Sequence, residues 1–589
     1  MSYLNFKSKY DKFPKTLIKG HKAITGYDAI KEELLSKMND QSVLVFDYYP
    51  GVYEDEVMNL VKSLNSSCII ETIDIFKDGK DITEQLKYHL TDDRTFGKMY
   101  YGDFEDFIDM DKLQEAKEQV ECTDGIVVVC GVAASLVTRG DLYVYFDMAR
   151  WEIQLRYRKG MTNYKADNAN EEILKKNKRG FFIEWRIADK HKQRNFEYFD
   201  YLIDTNKVNE PKMITGDTFR HSLNVLSKTP FRTVPYFDPG VWGGQWMKEV
   251  CNLNPDEINY AWSFDGVPEE NSILFDYDGV SFELPAMDLV LYKPKELLGA
   301  QVFARFGAEY PIRFDFLDTI GGQNLSLQVH PLTEYIHRNY GMAYTQDESY
   351  YILDAVDDAC VYLGLKEGID PSEMIEDLRE AEKGKIQFDA EKYINKFPAK
   401  KHDHFLIPAG TCHCSGAGAM VLEISATPYI FTYKLWDWGR VGLDGRPRPI
   451  NVEHGKNVIQ WDRTTEWVKN NLVNATYEVK EEGNDCLVEH TGLHELEFIE
   501  TRRYTITDTS YHKTNGTVNQ LNLIDGIEAI VESPTNEFEP FVVHYAETFI
   551  IPASIKEYTI RPYGESENKE IKVIKAYVRN VNKEIRPFL

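Results

Sequence analysis

One stretch of the chain contains residues whose types and spacing could bind a metal ion. Gln328 and His330 stand two apart in L-S-L-Q-V-H-P, and His413 lies further on in I-P-A-G-T-C-H-C. Residues two apart on a β-strand leave the same face, and Pro331 ends such a strand because it has no amide proton to donate. Glu348 adds a carboxylate between the two motifs. A same-face pair at a strand end, completed by distant groups, predicts a metal site.

The cysteines beside His413 suggest a second metal chemistry that the spacing disfavours. Cys412 and Cys414 form C-x-C, which lacks the two-to-four-residue gap of structural zinc sites and has no partner pair. On a strand both thiols share the face opposite His413. The eight cysteines of the chain follow no framework spacing, which predicts reduced thiols in a cytoplasmic protein.

Length and charge limit the classes of function. A chain of 589 residues with 43% hydrophobic and 13% aromatic residues predicts roughly two to four packed domains. The formal charge of −27 repels nucleic acid and anionic membranes, so we expect neither as a partner. No apolar leader and no run long enough to span a bilayer is visible. The sequence gives no indication of oligomeric state.

The first part of the chain alternates strands with helices. Helical patterns at 30–38 and 54–64 are interleaved with apolar strand patterns, at 42–46, 68–76, 125–132 and 142–147. Such alternation predicts a parallel α/β sheet. We therefore expect an α/β domain over 1–215, followed by a surface linker within 205–235.

From about residue 236 the strands become short and are separated by turn signals. This pattern favours antiparallel barrels or jelly rolls, with a helical insertion at about 368–396. I-P-A-G-T at 407–411 and I-P-A-S-I at 551–555 echo each other, which suggests two related barrels. The predicted fold class is therefore multidomain α/β plus all-β. The predicted domains are 1–215, 236–460 and a ligand-less C-terminal barrel over 465–589.

The first domain resembles the P-loop nucleoside kinases of the uridine kinase kind over about 40–215. The resemblance rests on an opening β-turn-α, the strands G-I-V-V-V-C-G-V and D-L-Y-V-Y-F, and the lid-like segment F-F-I-E-W-R-I-A-D-K-H-K. A phosphate-binding loop requires G-x-x-x-x-G-K-[ST]. Here the first turn reads D-Y-Y-P-G-V-Y-E-D-E-V, and no Gly-Lys-Ser or Gly-Lys-Thr occurs. We expect a degenerate, kinase-shaped domain that does not bind ATP in the usual way.

The second part resembles the class I mannose-6-phosphate isomerases of the cupin superfamily over about 236–460, with a looser echo to 589. The matching motifs occur in the family's order: P-G-V-W-G-G, F-L-D-T-I followed by L-S-L-Q-V-H-P, I-P-A-G-T-C-H with E-I-S, and T-Y-K-L-W-D-W-G-R-V with G-R-P-R-P-I. The resemblance implies a zinc-dependent aldose–ketose isomerase. In such an enzyme the metal polarises the sugar carbonyl and stabilises an enediolate.

The resemblance also implies roles for individual residues. Zn²⁺ or another divalent metal would be held by four ligands, Gln328, His330, Glu348 and His413. Glu423 and Lys434 occupy the positions of catalytic groups. Ser326 and Arg440 are expected to bind substrate, with Arg446 and Arg448 as further basic candidates on the same segment.

Three positions depart from the family pattern. Asp315 stands where the family usually has a lysine, Gln346 replaces a second lysine, and Lys434 stands for an arginine. Each change weakens a clamp for phosphate, because arginine and lysine are not interchangeable at bidentate oxyanion sites. The leading hypothesis is isomerisation of mannose 6-phosphate to fructose 6-phosphate or of a related sugar. The alternatives are a non-catalytic sugar sensor and a cupin isomerase or epimerase acting on an unphosphorylated sugar.

Overall fold

The computed structural model describes residues 2–426, 431–442, 445, 448–481, 483–494 and 497–579. The chain divides into two compact units that exchange segments. The α/β unit comprises Lys15–Leu226 and Ser272–Lys293, and the β-rich unit comprises Met1–Pro14, Ser227–Asn271 and Pro294–Leu589.

Residues 15–226 alternate strands and helices. The strands are β1 (Lys15–Leu17), β2 (Ile24–Thr25), β3 (Val43–Tyr48), β4 (Cys68–Glu71), β5 (Val127–Val132), β6 (Leu142–Asp147), β7 (Tyr201–Asp204) and β8 (Lys212–Thr215). The helices are α1 (Tyr27–Lys37), α2 (Glu54–Ser63), α3 (Gly79–Gln85), α4 (Lys87–Leu90), α5 (Met110–Cys122), α6 (Arg150–Arg158), α7 (Ile173–Arg179), α8 (Trp185–Asn195) and α9 (Gly216–Leu226). A π-helical turn, Gly180–Glu184, joins α7 to α8.

The remainder of the chain is dominated by strands. They are β9 (Tyr236–Asp238), β10 (Trp262–Phe264), β11 (Ser272–Tyr277), β12 (Val280–Pro285), β13 (Arg313–Asp318), β14 (Leu327–Val329), β15 (Asp347–Ala355), β16 (Cys360–Leu365), β17 (Ile394–Pro398), β18 (His404–Ile407), β19 (His413–Ser415), β20 (Ala419–Ala426), β21 (Tyr433–Trp436), β22 (Tyr477–Glu478), β23 (Leu487–His490), β24 (Ile499–Ile506), β25 (Ser510–Lys513), β26 (Asn519–Asp525), β27 (Glu528–Glu532), β28 (Phe541–His544), β29 (Thr548–Ile551), β30 (Glu557–Pro562) and β31 (Ile571–Val578).

Short helices connect these strands. They are α10 (Trp246–Val250), α11 (Met287–Tyr292), α12 (Pro294–Leu298), α13 (Ala300–Phe306), α14 (Thr333–Tyr340), α15 (Pro371–Glu382), α16 (Ala390–Tyr393), α17 (Val452–Gly455) and α18 (Thr465–Asn471). The expected helical insertion at about 368–396 is therefore present as α15 and α16. In the described part of the chain, no helix has the length and apolar character needed to cross a membrane.

The α/β unit is built on a seven-stranded sheet in the order β2-β8-β7-β6-β3-β5-β4. The strands β3 to β7 run parallel, and β8 pairs antiparallel with β7. Residues of β3, β5 and β6 are almost all buried, as expected when helices cover both faces of a parallel sheet. The prediction of a parallel α/β sheet is confirmed.

The β-rich unit contains two pairs of antiparallel sheets. The first pair has the strand orders β18-β15-β20-β13-β10-β9 and β17-β16-β19-β14-β21. The second pair, β22-β23-β24-β31-β26-β29 and β25-β30-β27-β28, encloses one apolar cluster of buried side chains that includes Tyr504, Leu521 and Phe549. Side chains that alternate between the two faces of each strand supply these interiors.

Two features differ from the expected linear arrangement. The segment predicted as a surface linker is largely structured, since it contains β8 and the helix α9, whose side chains Phe219 and Leu223 are fully buried. Furthermore, β11, β12 and α11 belong to the α/β unit although they follow β10 in the chain. The predicted domains were each one continuous range, whereas both units are built from separate segments of the chain. Such an assembly depends on contacts between residues distant in sequence.

Candidate metal centre

The first pair of sheets brings the predicted ligands together from two sides. Gln328 on β14 pairs directly with His413 on β19. Residues directly opposite each other in an antiparallel pair project from the same face, and His330 follows on that face two residues after Gln328. Glu348 comes from β15 in the other sheet. One ligand atom each of His330, Glu348 and His413 lies within 4.8 Å of the others, and all three residues are buried.

Backbone carbonyls orient both imidazoles. Nδ1 of His330 lies 2.8 Å from the carbonyl oxygen of Phe431, and Nδ1 of His413 lies 2.8 Å from that of Thr411. A carbonyl oxygen only accepts, so each Nδ1 carries the proton and donates it. Both Nε2 atoms therefore turn a lone pair towards Glu348, at 3.1 Å from His330 and 2.8 Å from His413. This tautomer is the one that metal-ligating histidines adopt when the other ring nitrogen donates to a carbonyl.

The pKa shifts of the three groups reflect both their burial and their mutual contact. Burial lowers the pKa of His413, although Glu348 opposes this. Burial would also lower the pKa of His330, but Glu348 and the carbonyl of Phe431 raise it. Burial would raise the pKa of Glu348, but the two imidazoles hold it well below its usual range. His330 Nε2 and Glu348 Oε1 are buried without a hydrogen-bond partner of good geometry. Such unsatisfied buried atoms are costly, and a divalent cation between them would satisfy both.

Gln328 fits the same set. Its amide nitrogen lies 3.2 Å from His413 Nε2, and its Oε1 accepts from the hydroxyl of Ser326 at 3.3 Å. A half-turn of the amide group would present the oxygen to the imidazole side. The chain therefore offers one amide, two imidazole and one carboxylate group to a single point, a donor set that suits a borderline divalent metal.

Gln346 connects the metal ligand to a second carboxyl group. Its Nε2 donates to Glu348 Oε2 at 2.8 Å and to Glu423 Oε1 at 3.4 Å, while its Oε1 accepts from the backbone N–H of Phe431 at 3.2 Å. The sequence marked Gln346 only as a lost lysine. The structure shows that its amide holds two carboxylates and one backbone group, which lysine could not do since it has no acceptor.

The face of the sheet beside Glu348 carries two rows of polar side chains. The register of β15, β20 and β13 defines them as Glu348–Ser425–Arg313 and Tyr350–Glu423–Asp315. Burial raises the pKa of Asp315 to about 6, although Arg313 opposes the shift. The pKa of Glu423 is well above its usual value because the group is buried and lies near Glu348 and Asp315. Glu423 is thus one strand away from the candidate metal ligand.

The remaining predicted site residues occupy different surroundings. Lys434 pairs with Gln328 across β14 and β21, so it projects from the face that carries the imidazoles. The buried Ser326 donates to Gln328. Arg440 donates to Asp437 and to the carbonyl of Asn324 at 2.7 Å.

The basic residues beyond Arg440 add no observed contact with the imidazoles. Arg448 also contacts Asp437, at 2.9 Å. Arg446 lies outside the described residues. The structure therefore ties both described arginines of this segment to Asp437 and shows neither of them at Glu348.

Two site residues were missed by the sequence reasoning. Tyr350 is fully buried, and its ring lies 5.8 Å from that of His413. Arg313 is buried beside Asp315. A signal for Arg313 exists in R-F-D-F-L-D, where polar residues alternate with apolar ones, since this period places Arg313 and Asp315 on one strand face.

The turn after β3 in the α/β unit is packed rather than open. Gly51 adopts φ 116°, and a Cβ there would meet Ile153 at 2.9 Å. Nη1 of Arg156 donates to the carbonyl of Gly51 at 2.9 Å, and its Nε donates to Glu152 at 2.9 Å. At the end of β3, Asp47 accepts from the ring of His191 at 2.8 Å. Side chains therefore occupy the turn that would hold phosphates in a P-loop.

One family model matches the first part of the chain. Residues 26–228 match a family model described as a domain of unknown function, DUF8485. This match covers about a third of the chain and includes the segment of about 40–215 that was expected to be kinase-like.

Known relatives match less than half of the chain. The probable mannose-6-phosphate isomerase GmuF of Bacillus subtilis (strain 168) is 27% identical over 257 residues, which are 43% of this chain and 73% of the relative. The mannose-6-phosphate isomerase ManA of the same organism is 26% identical over 242 residues, 40% of this chain and 69% of the relative.

A solved structure overlaps more loosely. The crystal structure of the mannose 6-phosphate isomerase from Bacillus subtilis has a TM-score of 0.47 at 16% identity, covering 59% of this chain and all of that chain. An overlap at this level carries no argument by itself. Over about two fifths of its length, the chain is similar in sequence to mannose-6-phosphate isomerases.

Proposed function

We propose that the protein is a metal-dependent aldose–ketose isomerase whose site lies between the first pair of sheets. The observation that carries the proposal is the convergence of two imidazole Nε2 atoms and one carboxylate on a single buried point. The sequence similarity to mannose-6-phosphate isomerases supports the same reaction class. Isomerisation of mannose 6-phosphate to fructose 6-phosphate is the reference reaction.

The residues proposed to hold the metal are Gln328, His330, Glu348 and His413. They would hold a divalent cation, with zinc as the expected ion, and such an ion would supply Lewis-acid polarisation of a sugar carbonyl. The protein contributes a fixed geometry, because the carbonyls of Phe431 and Thr411 hold each imidazole in one tautomer. The closure of both sheets around the ligands excludes water, which strengthens every charge interaction there.

Proton transfer between adjacent sugar carbons requires a base beside the carbonyl. Glu423 is the proposed base, since it lies one strand from Glu348 and shares the amide of Gln346 with it. Its buried surroundings make the carboxylate more basic than that of a surface glutamate. Lys434, facing the site from β21, is proposed to stabilise negative charge on the substrate oxygen. Ser326 is proposed to orient Gln328, and Arg440 to hold the neighbouring turn.

The proposal is tested by His413→Ala, with His404→Ala as a matched control. His404 is also a fully buried histidine of the first sheet pair and is not part of the ligand set. Metal content and turnover are measured for both variants, using mannose and mannose 6-phosphate in a coupled assay with and without a chelator. We expect His413→Ala to lose bound metal and at least 100-fold in turnover, while His404→Ala keeps stoichiometric metal. Stoichiometric metal without turnover of any aldose would contradict the proposal and favour a sugar-binding sensor.

We further propose that the α/β unit has a nucleoside-kinase-like fold that does not use ATP. Numbered along the chain, its five parallel strands stand in the order 2-3-1-4-5. Asp47 is the last residue but one of the central strand, β3. The guanidinium of Arg156 donates a hydrogen bond to the carbonyl oxygen of Gly51 in the turn after this strand. The carboxylate of Asp47 would repel a phosphate group there. Calorimetric titration with MgATP is expected to give no saturable binding, and stoichiometric binding would overturn the proposal.

A further inference from the structure

The rows of side chains beside the candidate metal ligands carry a charge pattern that bears on the substrate. Arg313 and Asp315 lie on β13, on the strand face shared with Glu423. From the groups that surround this face, we infer that the sugar accepted by the site is unphosphorylated. This inference rests on the proposed isomerase function and names its substrate class.

Several acidic side chains lie close enough to the guanidinium of Arg313 to act on its positive charge. Nη2 of Arg313 lies 3.8 Å from Asp315 Oδ2. The carboxyl groups of Glu269, Glu270 and Glu423 also act on its charge. Arg313 and Asp315 are almost fully buried, at 2% and 6% exposure, so solvent screens them little. Among the side chains of this face, a phosphate dianion would therefore meet the carboxyl group of Asp315 directly beside the one guanidinium.

The unsatisfied atoms on this face match a hydroxyl group better than a phosphate. Within the described ranges, Nε of Arg313 is a buried donor without an acceptor, and Oδ1 of Asp315 is a buried acceptor without a donor. A sugar hydroxyl both donates and accepts, so one hydroxyl can serve both atoms. A fully ionised phosphate only accepts, and it would leave the Asp315 oxygen unpaired and repelled.

The opposite sheet does not reverse this balance. Lys434 projects beside Gln328 and contributes one positive charge. Arg440 and Arg448 are both bound to the carboxylate of Asp437. Recruiting either arginine to a phosphate would leave Asp437, which is 3% exposed, with one cationic partner fewer. A neutral polyol needs no such rearrangement.

Two measurements on the metal-loaded full chain test the inference. The first compares kcat/KM for mannose with that for mannose 6-phosphate. The second compares binding of two unreactive polyols, sorbitol and sorbitol 6-phosphate, by calorimetry, so that affinity is read without turnover. We expect both ratios to favour the unphosphorylated compound by at least about tenfold, since one unopposed charge contact in a buried site is worth that factor or more.

The variant Asp315→Asn links the preference to the named charge. It keeps the shape of the side chain and removes its negative charge, so both ratios should shift towards the phosphorylated compound by about tenfold. Asp354→Asn is the matched control. Asp354 lies on β15 in the same sheet and accepts from the indole of Trp246 at 2.8 Å, away from the metal ligands, and its loss should leave both ratios unchanged.

The outcomes separate the two proposals. Turnover or binding that favours the phosphorylated compound overturns the inference and leaves the isomerase function standing. The same holds if Asp315→Asn leaves both ratios unchanged while its fold and metal content are intact. If neither sugar is isomerised and neither polyol binds to metal-loaded protein, the proposed function fails, and the substrate class fails with it.

Discussion

Replacement of Gln346 by methionine tests whether the groups around the metal ligands decide metal affinity. Methionine has a similar length and volume but cannot donate or accept a strong hydrogen bond. In the protein, the Gln346 amide donates to Glu348 at 2.8 Å and to Glu423 at 3.4 Å. Only the first of these contacts is short enough to hold the ligand carboxylate firmly. Gln346→Met therefore leaves all four proposed ligands in place and frees one of them to rotate.

The expected loss follows from that single bond. A hydrogen bond to a charged group contributes about 1.5–3 kcal/mol, and loss of a partner behind a metal ligand typically lowers affinity about 10- to 100-fold. We therefore expect Gln346→Met to bind Zn²⁺ about 10- to 100-fold more weakly, which corresponds to roughly 1.4–2.7 kcal/mol. Competition against a chromophoric chelator at fixed pH measures this directly.

The matched control is Gln520→Met. Gln520 is also fully buried, donates to the carbonyl of Gly266 at 3.0 Å, and lies on β26 in the second pair of sheets. Both variants should lose conformational stability by about 1–3 kcal/mol, because each leaves a buried backbone group without its partner. Only Gln346→Met should lose metal affinity. Equal zinc affinity in the wild type and Gln346→Met would refute the reasoning that this amide orients Glu348.

Two further predictions concern stability. Burial raises the pKa of Asp318 from 3.8 to about 7, against backbone hydrogen bonds that lower it. The folded state therefore keeps a proton that the unfolded state releases, and stability should fall by up to about 4 kcal/mol as pH rises from 4 through 7. Urea unfolding should show this slope in the wild type and not in Asp318→Asn, and parallel profiles would count against it. Removal of Arg156 leaves the buried Glu152 without its partner, so Arg156→Met should destabilise the α/β unit by about 3–5 kcal/mol. The double variant Glu152→Gln/Arg156→Met should recover part of this loss in the free energy of unfolding, because it no longer buries an unpaired carboxylate. A double variant no more stable than Arg156→Met would contradict the assignment of the loss to Glu152.

The local predictions from sequence were confirmed where the apolar residues followed a clear helix or strand pattern. The helix pattern at 30–38 corresponds to α1, and the apolar runs near 42–46 and 142–147 correspond to β3 and β6. The strand predicted at 68–76 ends earlier, at Glu71, because Thr72–Asp74 form a 3₁₀ turn. The linker predicted within 205–235 was wrong over 212–226, where β8 and α9 follow the polar residues 205–211. Tertiary contacts that the local composition does not indicate pack this strand and helix.

At the candidate site, too, the local prediction was confirmed, whereas the roles of individual residues are not decided by local pattern. The i, i+2 spacing predicted that Gln328 and His330 share a face, and the structure brings His330, Glu348 and His413 to one point. The ligand role of each residue, and the roles of Glu423 and Lys434, remain predictions. Arg440, expected to bind substrate, donates to Asp437 and to a backbone carbonyl, and its role towards a substrate also remains a prediction.

By itself, the sequence determined the alternation of side chains along each strand, the stop at Pro331 and the order of the motifs, because these depend on neighbours only a few residues apart. Only the tertiary structure decided which strands lie side by side. The pairing of β13 with β20 places Asp315 opposite Glu423, and lateral register between such distant segments is set by the packing of the whole sheet. For the same reason, the charge that a substrate meets beside Glu348 could be read only from the assembled fold.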